Sequence, residues 1–134
     1  MKIKDILFSV IVAICLVLFI KHFIVDIRMV SSDSMSPTLK KGELVVISKL
    51  AYDIFGFEYK QELPNDIVTF HKDDELLVKR ISYISLDDSL FVIGDNSEIS
   101  EDSRTFGLIS SNSVSGKIIL KYNIEDFSFT DIDK

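Results

Sequence analysis

The amino-acid sequence predicts an all-β fold: an antiparallel β-sandwich or open barrel that follows one N-terminal transmembrane helix. Short apolar segments recur along most of the chain and are separated by turn signals, a pattern typical of antiparallel sheets. A membrane-length apolar run precedes them, at residues 6–20. We therefore expect two units in the 134 residues, an anchor over 1–22 and a β-rich domain over 23–134.

The apolar run predicts an uncleaved membrane anchor. Its fifteen residues span about 22 Å as a helix, at ~1.5 Å per residue, which is less than the ~30 Å hydrocarbon core of a bilayer. Ile3 before the run and a snorkelling Lys21 after it extend the span. A cleaved signal peptide is the competing interpretation, but no small-x-small cleavage site follows the run.

Flanking charges set the expected orientation of this single-pass protein in the cell membrane. Lys2 and Lys4 place the N-terminus in the cytoplasm by the positive-inside tendency. Lys21, His22 and Arg28 on the other flank weaken that signal. With the N-terminus inside, the β-rich domain is extracytoplasmic and lies next to membrane lipid.

Composition and charge exclude several classes of partner. A net charge of −6 argues against nucleic acid, which calls for a basic patch. The single cysteine, Cys15, lies inside the apolar run, and the two histidines are isolated from one another. With no cysteine or histidine cluster and no glycine-rich phosphate loop, we expect neither a metal nor a cofactor.

β-Strands are expected wherever apolar residues alternate or cluster between turn residues. The expected strands cover residues 23–29, 43–50, 66–70, 76–84, 90–93 and 117–122. Residues 51–65 and 94–104 are expected to be loops, and the acidic C-terminal segment is expected to be solvated and frayed. Four apolar residues of the first loop are expected to cover the edge of the core or to contact lipid: Ile54, Phe55, Phe57 and Tyr59.

A serine and a lysine carry the candidate chemistry. The hydroxyl of Ser34 becomes a nucleophile only when a base takes its proton. A lysine can be that base if its pKa falls by about three units toward neutrality. Strand alternation puts Lys79 on one face with Leu77, Ile81 and Tyr83, where loss of water contact favours the neutral amine.

Simpler interpretations of the same residues stay open at this point. Lys79 could snorkel from a half-exposed strand, and Ser34 could be an ordinary turn residue before a proline. Arg80 points away from Lys79 and stays charged in any setting. His71 is an alternative base for a serine, although the Lys-Asp-Asp run after it resembles an exposed turn.

Three segments together resemble the sequence boxes of the bacterial type I signal peptidases. Residues 32–39 resemble the S-x-S-M-x-P-T-L box, and residues 78–80 resemble the lysine box. Residues 94–104 match the G-D-N-x-x-x-S-x-D-S-R box at every fixed position. Residues 66–68 resemble the G-D-I-V-V-F strand of the same family.

The resemblance implies roles for the reacting residues. Ser34 is similar to the family's nucleophile, and Lys79 to the general base that also protonates the leaving amine. Ser32 and the Ser34 backbone N–H correspond to the oxyanion donors. Ser100 is implied to form a hydrogen bond with the Lys79 amine and to orient it.

The resemblance also implies two ion pairs that support the site. Asp95 is expected to pair with Arg80, and Asp102 with Arg104, so that the loop is fixed against the lysine strand. The implied protein is a membrane-bound serine endopeptidase, and its implied substrates are the signal peptides of secreted preproteins.

The sequence departs from the family pattern at several positions, which keeps an alternative open. Ser31 stands where a proline is usual, Asn65 stands where a glycine is usual, and residues 85–88 replace an L-P-G-D run. The alternative is a specialised or non-catalytic signal-peptidase-like assembly factor for secreted or surface subunits. A soluble self-cleaving repressor-type protease is a third option, against which the N-terminal anchor counts.

Overall fold

A computed structural model describes residues 2–54, 57, 58 and 60–132. An N-terminal helix is followed by short β-strands with one four-residue helix among them. The elements are α1 Ile3–Phe23, β1 Val25–Met29, β2 Leu44–Ser48, β3 Asp53–Ile54, β4 Phe57–Glu58, β5 Ile67–Lys72, β6 Glu75–Ile84, β7 Ser89–Ile93, α2 Ser103–Phe106, β8 Ile109–Ser110, β9 Val114–Asn123 and β10 Ser128–Asp131.

Helix α1 is long and apolar enough to cross a membrane. Its 21 residues extend about 31 Å at ~1.5 Å per residue, and an 18-residue window has a mean hydropathy of 2.7. The helix is longer than the predicted run because Lys21 and His22 continue it. Phe23, expected to begin a strand, is instead its last residue. The Lys49 amine donates to the carbonyls of Lys21 and His22 and so caps the helix end.

Eight strands form one antiparallel sheet, which confirms the predicted fold class. Their order is β1-β2-β9-β5-β6-β7-β8, and β10 pairs with β9. Strands β3 and β4 form a separate two-stranded ribbon within the predicted 51–65 loop. Four apolar side chains of this loop were expected to cover the edge of the core or to contact lipid. They lie outside the part of the chain whose side chains the structure describes, at positions 54, 55, 57 and 59.

The acidic C-terminal segment is more ordered than predicted. Residues Ser128–Asp131 form β10 along the end of β9, and the Ile132 N–H donates to the Ile119 carbonyl. The Ile132 side chain packs against a buried cluster. The prediction of a frayed terminus is therefore wrong for these residues. The end of β9 has a free edge, and its backbone groups form hydrogen bonds with β10 whatever the charge of the β10 side chains.

Two clusters of apolar side chains form the core. One contains residues of β2, β5 and β9 together with Met35 and Leu39 of the 32–39 segment. The other contains residues of β5, β6 and β7, including Phe70 and Ile81. Because Met35 and Leu39 are fully buried, the serine segment is fixed to the sheet rather than free in solvent.

A β-bulge in β6 corrects one predicted neighbour of the lysine. Leu77, Lys79 and Ile81 share a face as expected, but the pairing of β6 with β7 shifts register between Ile81 and Tyr83. Tyr83 is consequently 48% exposed and stacks on Phe91 instead of covering Lys79. An extra residue in one strand moves every later side chain to the opposite face.

Candidate active site

The structure brings the predicted serine and lysine into hydrogen-bond contact. Lys79 Nζ donates to Ser34 Oγ at 2.9 Å, across 45 residues of sequence. Ser34 is half-buried and Lys79 is 4% exposed. Strand β6 positions the amine, and the buried Met35 that follows Ser34 fixes the hydroxyl. The two groups therefore meet with little freedom to separate.

Burial lowers the pKa of the Lys79 amine. Asp102 and Glu101 act in the opposite direction through their charges, and the effect of burial is the larger one. In the part of the chain that the structure describes, Lys79 forms no ion pair with a carboxylate. A neutral amine has a free electron pair, so the arrangement can accept a proton from the Ser34 hydroxyl.

Ser32 lies beside the same hydroxyl. Its Oγ donates to Ser34 Oγ at 3.2 Å, and the side chain is exposed. A hydroxyl at this position can turn toward an oxygen that develops negative charge next to Ser34. The structure thus gathers Ser32, Ser34 and Lys79 at one point.

Arg80 and Asp95 form the predicted ion pair on the opposite side of β6. The guanidinium donates through Nε at 2.8 Å and through Nη2 at 2.7 Å to the two carboxylate oxygens. Thr38 adds a third donor to Asp95 at 2.5 Å. Burial alone would raise the pKa of Asp95, but these hydrogen bonds and the arginine charge outweigh it and lower that pKa. The pair connects the serine segment, β6 and the 94–104 loop.

Asp102 and Arg104 form the second predicted pair. The guanidinium donates to both oxygens of Asp102, at 2.8 and 2.7 Å. Asp102 is completely buried and also accepts from the Gly94 N–H and the Ser100 hydroxyl. Although burial acts to raise the pKa of Asp102, this set of donors holds it far below the usual range.

Ser100 does not make the contact that the sequence led us to expect. Its hydroxyl donates to Asp102 at 2.8 Å, and no hydrogen bond to the Lys79 amine is present between these described residues. The physical reason is that a buried carboxylate is a stronger acceptor for the single hydroxyl proton than a neutral amine. Ser100 therefore closes the loop onto Asp102.

The 94–104 loop also holds the backbone of the serine. The Asn96 N–H donates to the Ser34 carbonyl at 2.9 Å. A Cβ at position 94 would overlap the Ser100 side chain and would lie 2.6 Å from the Ser34 carbonyl oxygen. Only glycine fits that close approach, so Gly94 lets the loop press directly against the serine segment.

Two cavities flank the serine and the lysine. The first has a volume of about 220 Å³ and is lined mainly by apolar side chains of the serine segment and of β1, β2 and β6, including Val30, Val45 and Val78. The second has a volume of about 260 Å³ and is lined mainly by polar and charged side chains. Ser32, Ser34 and Lys79 line both cavities. A chain that fills both would pass over the Ser34 hydroxyl.

Comparison with known families shows where this chain belongs. The model of the family described as signal peptidase, peptidase S26, matches residues 3–84 and 86–123. The chain belongs to this signal peptidase family. The match covers the helix, the serine segment, β6 and the 94–104 loop, and its one gap falls in the turn that replaces the L-P-G-D run.

The relatives that this chain matches carry names of two kinds. Signal peptidase I of Bacillus caldolyticus is 28% identical over 157 residues, covering 83% of this chain and 86% of that protein. Signal peptidase IB of Staphylococcus aureus (strain Mu50 / ATCC 700699) is 26% identical, covering 85% and 86%. A protein named inactive signal peptidase IA from the same strain is 25% identical, covering 90% and 92%. Family membership alone therefore does not decide whether a member is active.

Two residues of this signal peptidase site escaped the sequence analysis. Thr38 lies inside the serine box, between Pro37 and Leu39. Its hydroxyl, the polar group between these two residues, could have indicated a hydrogen-bond role such as the one it has with Asp95. Lys121 of β9 donates to the Thr38 carbonyl at 2.9 Å and lies 3.4 Å from a Glu43 oxygen. Nothing local marks Lys121, because its partners are about eighty residues away in sequence.

The alternative histidine base lies elsewhere. His71 Nδ1 contacts the Ser115 hydroxyl at 3.0 Å, and His71 lines neither cavity beside Ser34. Within residues 2–54, 57, 58 and 60–132, no group of three or more His, Cys, Asp or Glu side chains could hold a metal ion.

Proposed function

We propose that this signal peptidase is an active, membrane-anchored serine endopeptidase that removes signal peptides from translocated preproteins. The observation that carries the proposal is the 2.9 Å contact between the Ser34 hydroxyl and a buried lysine amine. The lowered pKa of Lys79 supports it, because a base must be unprotonated to act.

The proposed mechanism uses the lysine twice. Lys79 Nζ takes the proton of the Ser34 hydroxyl as its oxygen attacks the scissile carbonyl carbon. The Ser34 N–H and the Ser32 hydroxyl stabilise the resulting oxyanion. The Lys79 ammonium then protonates the leaving amine. Water, deprotonated by the neutral amine that this regenerates, hydrolyses the acyl-enzyme and frees Ser34.

Free strand edges supply a seat for an extended peptide. Among the described strands, β1 pairs only with β2, and β7 pairs with β6 only from Arg80 onward, so residues 75–79 of β6 keep one open edge. The first cavity is lined by residues of β1 and of this part of β6. A peptide added there would gain backbone hydrogen bonds. Shallow apolar walls would accept small residues at the first and third positions before the cut.

The location of the site suits a substrate that emerges from a bilayer. Ser34 follows the end of α1 at Phe23 by eleven positions (34 − 23), so the hydroxyl stays close to the membrane surface. We propose a cytoplasmic N-terminus, an extracytoplasmic catalytic domain and contact with membrane lipid, from the lysines at positions 2 and 4.

A non-catalytic assembly factor is the second candidate function. The relative named inactive signal peptidase IA favours it, because it spans most of this chain. Ser34 and Lys79 count against it, since a binding-only descendant needs neither the hydroxyl nor the neutral amine.

Preprotein cleavage by the full chain in detergent decides between the two. We expect wild type to release a signal peptide, and Ser34→Ala and Lys79→Arg each to lose at least about a thousandfold in kcat/KM, because a guanidinium supplies no neutral base. The exposed residues Ser97 and Lys41 provide matched controls, and Ser97→Ala and Lys41→Arg should cleave at the wild-type rate. Normal turnover by Lys79→Arg would contradict the mechanism.

A further inference from the structure

The second cavity beside the catalytic pair differs in character from the first. Its wall on one side is formed by the β5–β6 turn and on the other by the 94–104 loop with α2. It contains no residue of β1, the strand that directly follows the anchor. The two cavities share only Ser32, Ser34, Leu77 and Lys79, so they extend from the reacting groups in different directions.

Four charged side chains besides Lys79 line the second cavity. Lys72 forms an ion pair with Asp73 and also lies over the Phe106 ring, 5.2 Å from its centroid, so these two charges offset each other. Glu75 and Glu101 are exposed, and among the described residues neither side chain accepts a hydrogen bond or forms an ion pair. Lys72 interacts with both glutamates through its charge, but with Asp73 present the carboxylates that line the cavity outnumber this one cation by three to one.

The first cavity fits the half of the substrate before the cut. It is mainly apolar and includes Met29, the last residue of the strand nearest the membrane, and Val30, which follows it. In a signal peptide the small residues before the cut follow an apolar segment, which comes from the bilayer. Once that half is seated on one side of Ser34, the half after the cut has to leave on the other side, over the second cavity.

We propose that the second cavity binds the first residues of the mature chain after the cut, and that Glu75 and Glu101 favour a cationic side chain there. This inference rests on the proposed function. An incoming lysine or arginine would meet both carboxylates, whereas an acidic residue would be repelled by them. The two glutamates are specificity-determining residues in this account, since they touch the substrate but no reacting atom.

The expected preference is modest and depends on salt. Exposed carboxylates contribute small energies to a charge pair, so the ratio of kcat/KM for lysine over glutamate should be about three to ten at low salt. Screening at high ionic strength should reduce that ratio toward one. The ratio of two substrates is the correct readout, because Glu101 also acts on Lys79 and any effect on the base cancels in the ratio.

The test uses the full chain in detergent and one preprotein with lysine, glutamine or glutamate at the first or second position after the cut. Wild type should prefer lysine, and the Glu75→Gln/Glu101→Gln variant should cut all three substrates at similar rates. Glu98→Gln, an exposed residue of the same loop that does not line the cavity, should keep the wild-type preference.

The outcomes separate this inference from the proposed function. Cleavage of all substrates without a charge preference, or a preference that survives the double substitution, would overturn the inference and leave the peptidase activity intact. Failure of wild type to cut any of the substrates would instead overturn the proposed function, and this inference with it.

Discussion

Two buried lysines on the two strands that flank β5 differ in the groups that their amines contact. Lys79 of β6 is 4% exposed and Lys117 of β9 is 5% exposed. Both are the cross-strand neighbours of Val68 on β5. Lys117 forms a 2.8 Å ion pair with the Asp66 carboxylate, whereas Lys79 contacts the Ser34 hydroxyl. The two amines therefore differ in their partners and hardly at all in their burial.

Burial alone therefore does not decide whether a lysine amine in this fold can act as a base. A carboxylate beside a buried amine stabilises the ammonium form, and a hydroxyl does so far less. Of the carboxylates whose charge acts on Lys79, Asp102 has the larger effect, and it is already engaged by Arg104, Ser100 and the Gly94 N–H. Within the described residues Asp102 therefore pairs with Arg104 and not with Lys79, while the 94–104 loop also holds the Ser34 backbone.

The largest expected effect comes from removing the structural lysine. Lys117→Met leaves the Asp66 carboxylate, whose side chain is 10% exposed, with Tyr52 and the Leu63 N–H as its hydrogen-bond donors among the described residues. We expect the free energy of unfolding to fall by about 3 kcal/mol, since an uncompensated buried charge remains. Denaturant unfolding in detergent measures this loss, and the kcat of the folded fraction should stay near that of wild type. An unchanged stability would mean that the ion pair contributes nothing.

Lys79→Met should give the opposite result. Activity should disappear, yet the free energy of unfolding at neutral pH should stay within about 1 kcal/mol of wild type, because Met fills the site without a desolvated amine. Burial lowers the pKa of Lys79 in the folded protein below its pKa in the unfolded chain. As the pH falls below the pKa of the unfolded chain, the unfolded state gains a proton that the folded state does not bind, and wild type loses stability. This loss is complete once the pH is below the pKa of the folded protein. The stability of the variant relative to wild type should therefore improve as pH falls from about 10.4. A relative stability that worsens over this range would contradict a buried neutral amine.

The fold was predictable where side-chain patterns carry it. Strands β5, β6 and β7 begin and end within two residues of their predicted bounds, because alternating apolar residues and acidic turns mark them. The predicted strand over 117–122 missed the first three residues of β9, which begins at Val114. Ser115 and Gly116 interrupt the apolar pattern there, so the sequence does not mark the start of the strand. Strand β10 was missed because its pairing is a backbone interaction with the edge of β9, which its own side chains do not announce.

The site was predictable to the extent that its residues lie in recognisable boxes. Ser34 and Lys79 meet as expected, and both predicted ion pairs form. The partner of Ser100 was wrong, because competition between two acceptors depends on distances that a sequence does not contain. Lys121 could not be found at all, since its role depends on the Thr38 carbonyl from a distant part of the chain.

The pH dependence of preprotein cleavage tests the central claim most directly. A neutral Lys79 requires kcat/KM to rise with pH and to level off below 10.5, the ordinary pKa of a lysine side chain, because burial lowers the pKa of Lys79. A plateau reached before pH 10.5, with activity absent from Lys79→Met throughout, is the predicted result. A rate that keeps rising tenfold per pH unit up to 10.5 would contradict it, because the base would then have the pKa of a lysine in water.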